Sequence, residues 1–138
     1  MLVTRSDTDV PAASAWAPRL LSVFRVVVAV LFMSHGIVKL FGFPAGAAPG
    51  IAPLMSLGGL AGLLELFGGA AVLVGVFTRP ISFLLSGQMA VAYFLVHAPQ
   101  GFFPLLNGGE AAIHYCFAFL YLSAAGGGAW SVDRIRRH

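Results

Sequence analysis

Four long apolar runs divide the 138-residue chain, at residues 20–41, about 54–77, 81–98 and about 110–125. Within each run the apolar residues are continuous, where a barrel strand would alternate, so the pattern predicts helices in an apolar surround. Crossing a hydrocarbon layer of ~30 Å takes about 20 helical residues. The first two runs exceed that length and the last two roughly meet it. The fold expected is all-α, an integral membrane four-helix bundle over residues 20–125. Its connections are a Gly/Pro/Ala loop (GFPAGAAPGIAP), a tight turn at Thr78-Arg79-Pro80, and a second loop (PQGFFPLLNGG). Residues 1–19 are expected to form a cytoplasmic lead. They do not suggest a signal peptide, because the run behind them is too long and no small-residue cleavage site ends it. Residues 126–138 open with three glycines and form a basic cytoplasmic tail.

Composition excludes the main alternatives. Only 9% of residues are charged, against about 25% in an ordinary soluble domain, which is too little to coat a soluble fold of this size. The mean hydropathy of +0.90 and the 12 Phe exclude intrinsic disorder. With Cys116 alone, a disulfide scaffold and sites built on paired cysteines are excluded. The pI near 9.6 does not indicate nucleic acid, because the basic residues flank apolar runs and form no basic face with interleaved aromatics. Arg5, Arg19, Arg79, Arg134, Arg136 and Arg137 all fall on the side shared by the termini and the Arg79 turn. The loops after the first and third runs contain no Lys or Arg. That asymmetry predicts an N-in/C-in orientation.

Polar groups inside a bilayer are costly and face a bundle interior or a cavity. At 100° per residue, Arg25, His35 and Lys39 share one stripe of the first helix. Glu65 shares a face with Gly58, Gly62 and Gly69, small residues that let helices approach closely, so it is expected at a helix–helix seam. Tyr93 and His97 share a face, with Gln88 pointing nearly opposite to His97, and Glu110, His114, Phe117 and Tyr121 line the fourth helix. By depth, His35, Lys39, Tyr93, His97, Glu110 and His114 form a candidate ligand site in the outer half of the bundle. Arg25 and Glu65 are expected to form a structural ion pair. Structural roles stand beside these. Lys39 could snorkel to headgroups, His97 and Glu110 could answer helix dipoles, and His35 and His114 could serve interhelical hydrogen bonds. No H-x-x-H, C-x-x-C-H, H-E-x-x-H or phosphate-loop spacing occurs, so neither metal nor haem is expected.

These residues, in order, resemble the DoxX family. Arg25 with His35-Gly36 and Lys39-Leu40-Phe41-Gly42 is similar to its first-helix signature. Glu65-Leu66-Phe67-Gly68-Gly69, Gly75 and Thr78-Arg79-Pro80 resemble its second segment. Met89, Val91-Ala92, His97, Gly101-Phe102-Phe103-Pro104 and Asn107-Gly108-Gly109-Glu110 resemble the next, and Trp130-Ser131 with Asp133 its C-terminal end. The resemblance implies a small four-helix protein of a bacterial-type inner membrane, similar to a subunit of a thiosulfate:quinone oxidoreductase. It also implies association with complexes that handle thiols or oxidative stress. If the chain is enzymatic, the resemblance implies an oxidoreductase subunit. Its single cysteine departs from relatives that cycle paired cysteines.

Three functions fit. The first is a redox-associated subunit binding a quinone-like or other small lipophilic ligand in the outer polar site, where His or Glu near water can deliver protons. The second is a non-catalytic anchor or assembly partner of an oxidoreductase or oxidative-stress complex. The third is small-molecule or proton translocation. The bilayer is a partner in all three, with a redox partner protein in the first two. A homo-oligomer is open, since lipid-facing and interface-facing surfaces are equally apolar. Reporters fused to each terminus are expected to read cytoplasmic at both; an external C-terminus would overturn the N-in/C-in topology.

Overall fold

The computed structural model describes residues 12–138; residues 1–11 of the expected lead, Arg5 among them, lie outside the described residues. Among the described residues every regular element is helical. Helix α1 spans Ala12–Phe41 and begins before the expected boundary at Leu20, running through Pro18. Pro18 is the seventh helical residue, past the first turn, and lacks the amide that would continue the helical ladder there. Gly42, at φ +69°, ends α1 in the left-handed conformation that glycine adopts without a Cβ clash.

Helix α2 (Leu57–Val74) is entered through Ser56, whose hydroxyl accepts the Gly59 amide at 3.1 Å. One wide π-helical turn, Leu64–Gly68, interrupts it and carries Glu65. Helix α3 (Thr78–Gln100) has a second such turn at Tyr93–His97 and tightens at Ala98–Gln100. Thr78-Arg79-Pro80 opens this helix, where a separate turn had been expected. Pro80 falls in the first turn, where amides lack intrahelical partners in any case. A short turn, α4 (Pro104–Asn107), leads to α5 (Glu110–Ala125), and α6 (Val132–Ile135) lies in the tail.

Helices α1, α2 and α3 are long and apolar enough to cross a membrane. The 16 residues of α5 rise only about 24 Å. Helix α1 packs along α2, and α3 along α5. Phe32 joins the two pairs, 4.7 Å edge-on to Phe119, within a core that includes Ala29, Val72, Leu85, Met89 and Leu122. Outside that core the polarity is inverted relative to a soluble protein. Phe83, Phe94 and Phe117 are 67%, 68% and 64% exposed, a surface suited to lipid.

Glycines set the α1–α2 spacing. A Cβ on Gly36 would lie 2.7 Å from the Gly62 carbonyl oxygen and 2.8 Å from the Leu66 amide nitrogen, both backbone atoms that cannot move aside. Gly62 and Gly69 meet Lys39 and Met33 from the other side of the seam. At Gly87, by contrast, an added methyl group would meet nothing within 4 Å. Gly36→Ala should therefore lower the melting temperature in detergent, a cost of about 1–3 kcal/mol from forced separation. Gly87→Ala should raise it slightly, by roughly 0.5–1 kcal/mol of helix propensity.

Candidate functional site

Glu65 is the centre of the polar interior. It is 1% exposed, on the wide turn of α2. Its Oε1 accepts from Lys39 Nζ at 2.5 Å and from Gln88 Nε2 at 3.4 Å, while Oε2 is buried with no hydrogen-bond partner. Gln88 also reaches the Ala61 carbonyl, at 3.4 Å, and its own Oε1 is likewise unpartnered. His35 adjoins Gly36, where an added Cβ would meet Glu65 Cβ at 3.1 Å, and Tyr115 stands against the His35 ring. His35 Nδ1 is 3.0 Å from the Leu31 carbonyl. A carbonyl only accepts, so Nδ1 carries the proton and Nε2 is left open in the neutral ring. The His35 ring stands edge-on to Tyr115 with centroids 5.6 Å apart. All four long helices thus contribute: Lys39 and His35 from α1, Glu65 from α2, Gln88 from α3 and Tyr115 from α5.

The six residues expected to form one outer site divide into four places. His35 and Lys39 belong to the Glu65 group. Tyr93 and His97 belong to a loop lock: His97 Nδ1 donates to the Asn107 carbonyl at 3.0 Å, and the Asn107 amide donates to Tyr93 Oη at 3.3 Å and to the Gly101 carbonyl at 2.9 Å. Asn107 Oδ1 accepts the Gly109 amide at 2.8 Å, which closes the turn into α5. Glu110 is exposed in the first turn of α5, behind a Gly109 cap that offers no side chain, a position where the helix dipole favours a carboxylate. His114 is exposed on the outward side of α5. It lies in an open groove of about 500 Å³ between α1 and α5, with Phe24, Val28, Leu31, Tyr115 and Ala118. Among the described residues no three His, Cys, Asp or Glu side chains converge as a metal site.

The expected Arg25–Glu65 pair does not form. Arg25 is buried, and Nη1 donates to the Val72 and Leu73 carbonyls at 2.9 Å each, Nη2 to the Trp130 carbonyl at 2.6 Å. The reason is depth. Arg25 and Lys39 share a stripe but stand about 21 Å apart along α1, and antiparallel α2 puts Glu65 beside Lys39 and its own C-terminal carbonyls beside Arg25. A guanidinium fork suits several converging carbonyls.

A second polar knot surrounds Arg25. Ser22 accepts the Trp130 amide at 2.9 Å, the Ala129 amide donates to Pro18 at 2.9 Å, and the Asp133 amide to Gly75 at 2.9 Å. Phe77, at φ +47°, precedes α3 without a local cap. Asp133 supplies one, taking the Phe77 and Thr78 amides at 2.8 and 2.9 Å. Burial alone would raise the Asp133 carboxyl. The Thr78 and Phe77 hydrogen bonds and the Arg137 charge outweigh it and hold the carboxyl below its ordinary value, so Asp133 is charged.

The DoxX family model matches residues 20–98, from α1 to the wide turn of α3. The chain belongs to the DoxX family. An uncharacterized protein of Haemophilus influenzae is 40% identical to this DoxX protein over 124 residues, covering 86% of this chain and 91% of the relative. No solved structure matches it. The family match includes Arg25, His35, Lys39, Glu65, Gln88, Tyr93 and His97, whereas Asn107, Glu110, His114, Tyr115 and Asp133 lie beyond it.

Sequence reasoning missed Gln88, Tyr115, Asn107 and Asp133 as members of these groups. For Gln88 the signal was present: pointing away from His97 turns it toward α2. Removing one partner of a buried pair leaves an unmet charge, so Lys39→Met should cost about 3–5 kcal/mol. The double variant Lys39→Met/Glu65→Leu should recover most of that loss in detergent melts. Equal stability of wild type and Lys39→Met would contradict the pairing.

Proposed function

We propose that this DoxX protein is a redox-associated membrane subunit that binds a quinone-like lipophilic carrier. It does so as a four-span bundle of a bacterial-type inner membrane, with both termini cytoplasmic. The observation that carries this reading is the groove between α1 and α5. About 500 Å³ in volume, it is walled by Phe24, Val28, Leu31 and Ala118 and has His114 as its imidazole donor. Small-ligand sites typically have volumes of about 300–1,000 Å³ and apolar walls with a few polar groups.

Tyr115 links this groove to the polar interior. It lines the groove, packs on Phe32 with centroids 5.3 Å apart, and stands against His35 beside Glu65. His114 would orient a ring carbonyl, and the aliphatic wall would take a chain. Lys39, partly exposed while Glu65 is buried, gives the interior carboxylate a neighbour in contact with the boundary, where protons exchange with water. Cys116 is unpaired, and Ser86 Oγ donates to its carbonyl at 2.7 Å. An intramolecular disulfide cycle is therefore closed to this chain, and electrons would come from a partner protein.

A photoreactive quinone analogue on the full chain in nanodiscs tests the proposal. Labelling is expected on α1 and α5. It should be abolished by Ala118→Trp, which fills the groove. His114→Ala should weaken it about three- to tenfold, the value of one hydrogen bond. Labelling unchanged by both substitutions would falsify the assignment.

A further inference from the structure

The end of the molecule opposite the Glu65 group carries a second, larger groove of about 700 Å³, between the α2–α3 turn, the C-terminal end of α5 and the tail. Its rim carries Arg79, Arg134, Arg136 and Arg137, while Pro18, Leu21 and Phe77 supply apolar wall. The Arg79 guanidinium lies over Gly126, so near that a Cβ there would meet Nε at 3.3 Å. Arg136 stacks over the Phe77 ring at 5.6 Å. Arg79 is thus brought from the start of α3 to a rim otherwise made by α6 and the residues after it.

The charge around this groove is not balanced. Asp133 is the single acidic side chain lining it among the described residues. Both its oxygens are already engaged by the Phe77 and Thr78 amides. Among the described residues, no carboxylate stands within salt-bridge distance of the four guanidiniums; Lys39–Glu65 is the one pair that forms. Guanidiniums gathered around a concavity whose one acidic side chain is already engaged by backbone amides suit a phosphate, which accepts their paired N–H donors.

We propose that this groove binds the phosphate headgroup of an anionic phospholipid. The choice of a lipid over a soluble phosphate rests on position and wall chemistry. The groove opens where α3 begins and α5 ends, at the edge of the apolar surface, and Phe77, 60% exposed, and Leu21 extend that surface into it. A phosphate held by the rim leaves its acyl chains along those residues. The four arginines therefore form a binding site in addition to biasing orientation. The site is independent of the quinone groove, so either can fail alone.

The test uses the full chain in neutral detergent, with thermal stability and native mass spectrometry as readouts. Short-chain phosphatidylglycerol, short-chain phosphatidylcholine and inorganic phosphate are the three probes. Phosphatidylglycerol should stabilise the wild type and bind at least tenfold tighter than phosphatidylcholine, a preference that ~0.5 M salt reduces. Each arginine near an anionic surface contributes on the order of fivefold, so Arg79→Gln/Arg137→Gln should remove roughly twentyfold of that affinity. Arg79→Lys/Arg137→Lys, which keeps the charge, should retain a clear preference. A cooperative lipid-free melt at the wild-type temperature serves as the check that the glutamine variant is folded. Equal binding of the two lipids overturns the proposal, as does a folded Arg79→Gln/Arg137→Gln variant that keeps the preference. Inorganic phosphate stabilising as strongly as phosphatidylglycerol overturns the lipid assignment.

Discussion

A carboxylate enclosed among apolar helices keeps its charge only where a cation meets it, and Lys39 meets Glu65 across the α1–α2 seam at 2.5 Å. Much of the architecture follows from that contact. The helices must come close enough for the two to touch, which is why Gly36 sits on the Gly62 carbonyl and Gly62 beneath Lys39. The wide turn at Leu64–Gly68 rotates α2 locally where Glu65 faces inward. Gln88 from α3 completes the set on the one oxygen already engaged, leaving Oε2 as a buried acceptor in the middle of the chain's polar interior.

The same constraint operates at the other end with different means. Arg25 is buried as fully as Glu65, yet its partners are carbonyl oxygens at the C-terminal end of α2 and in the tail. Helix ends present carbonyls that nothing within the helix satisfies, and a cation there is favoured by the helix dipole as well. Asp133 does the converse service at the start of α3. The tail is therefore a part of the fold: it caps one helix, receives Arg25, and bonds back to Ser22 and Pro18. Two polar knots, one at each end, bracket an apolar middle formed around Phe32 and Phe119.

How far the site was legible depended on what each residue interacts with. Glu65 at a glycine seam could be anticipated, because Gly62 and Gly69 lie on its own face and periodicity reports that directly. The Arg25–Glu65 pair could not be judged the same way, since phase gives the direction of a side chain and leaves open which partner stands at its level. His97 looked like a ligand and is a lock for Asn107, a partner in a loop with no period to read. Phe77 gave no hint of a helix start, because its cap comes from Asp133, 56 positions away.

By itself, the sequence determined the class: helices, the number of long apolar runs, the membrane, the family, and the exclusion of paired-cysteine chemistry. These follow from composition and from local periodicity, which each residue carries with it. Only the tertiary structure decided which charges meet. It set Lys39 rather than Arg25 against Glu65, separated His97, Glu110 and His114 from that pair, and gathered arginines from two segments around one groove. Those outcomes depend on the relative height and rotation of helices. A charge in an apolar surround takes the partner that this packing brings within reach.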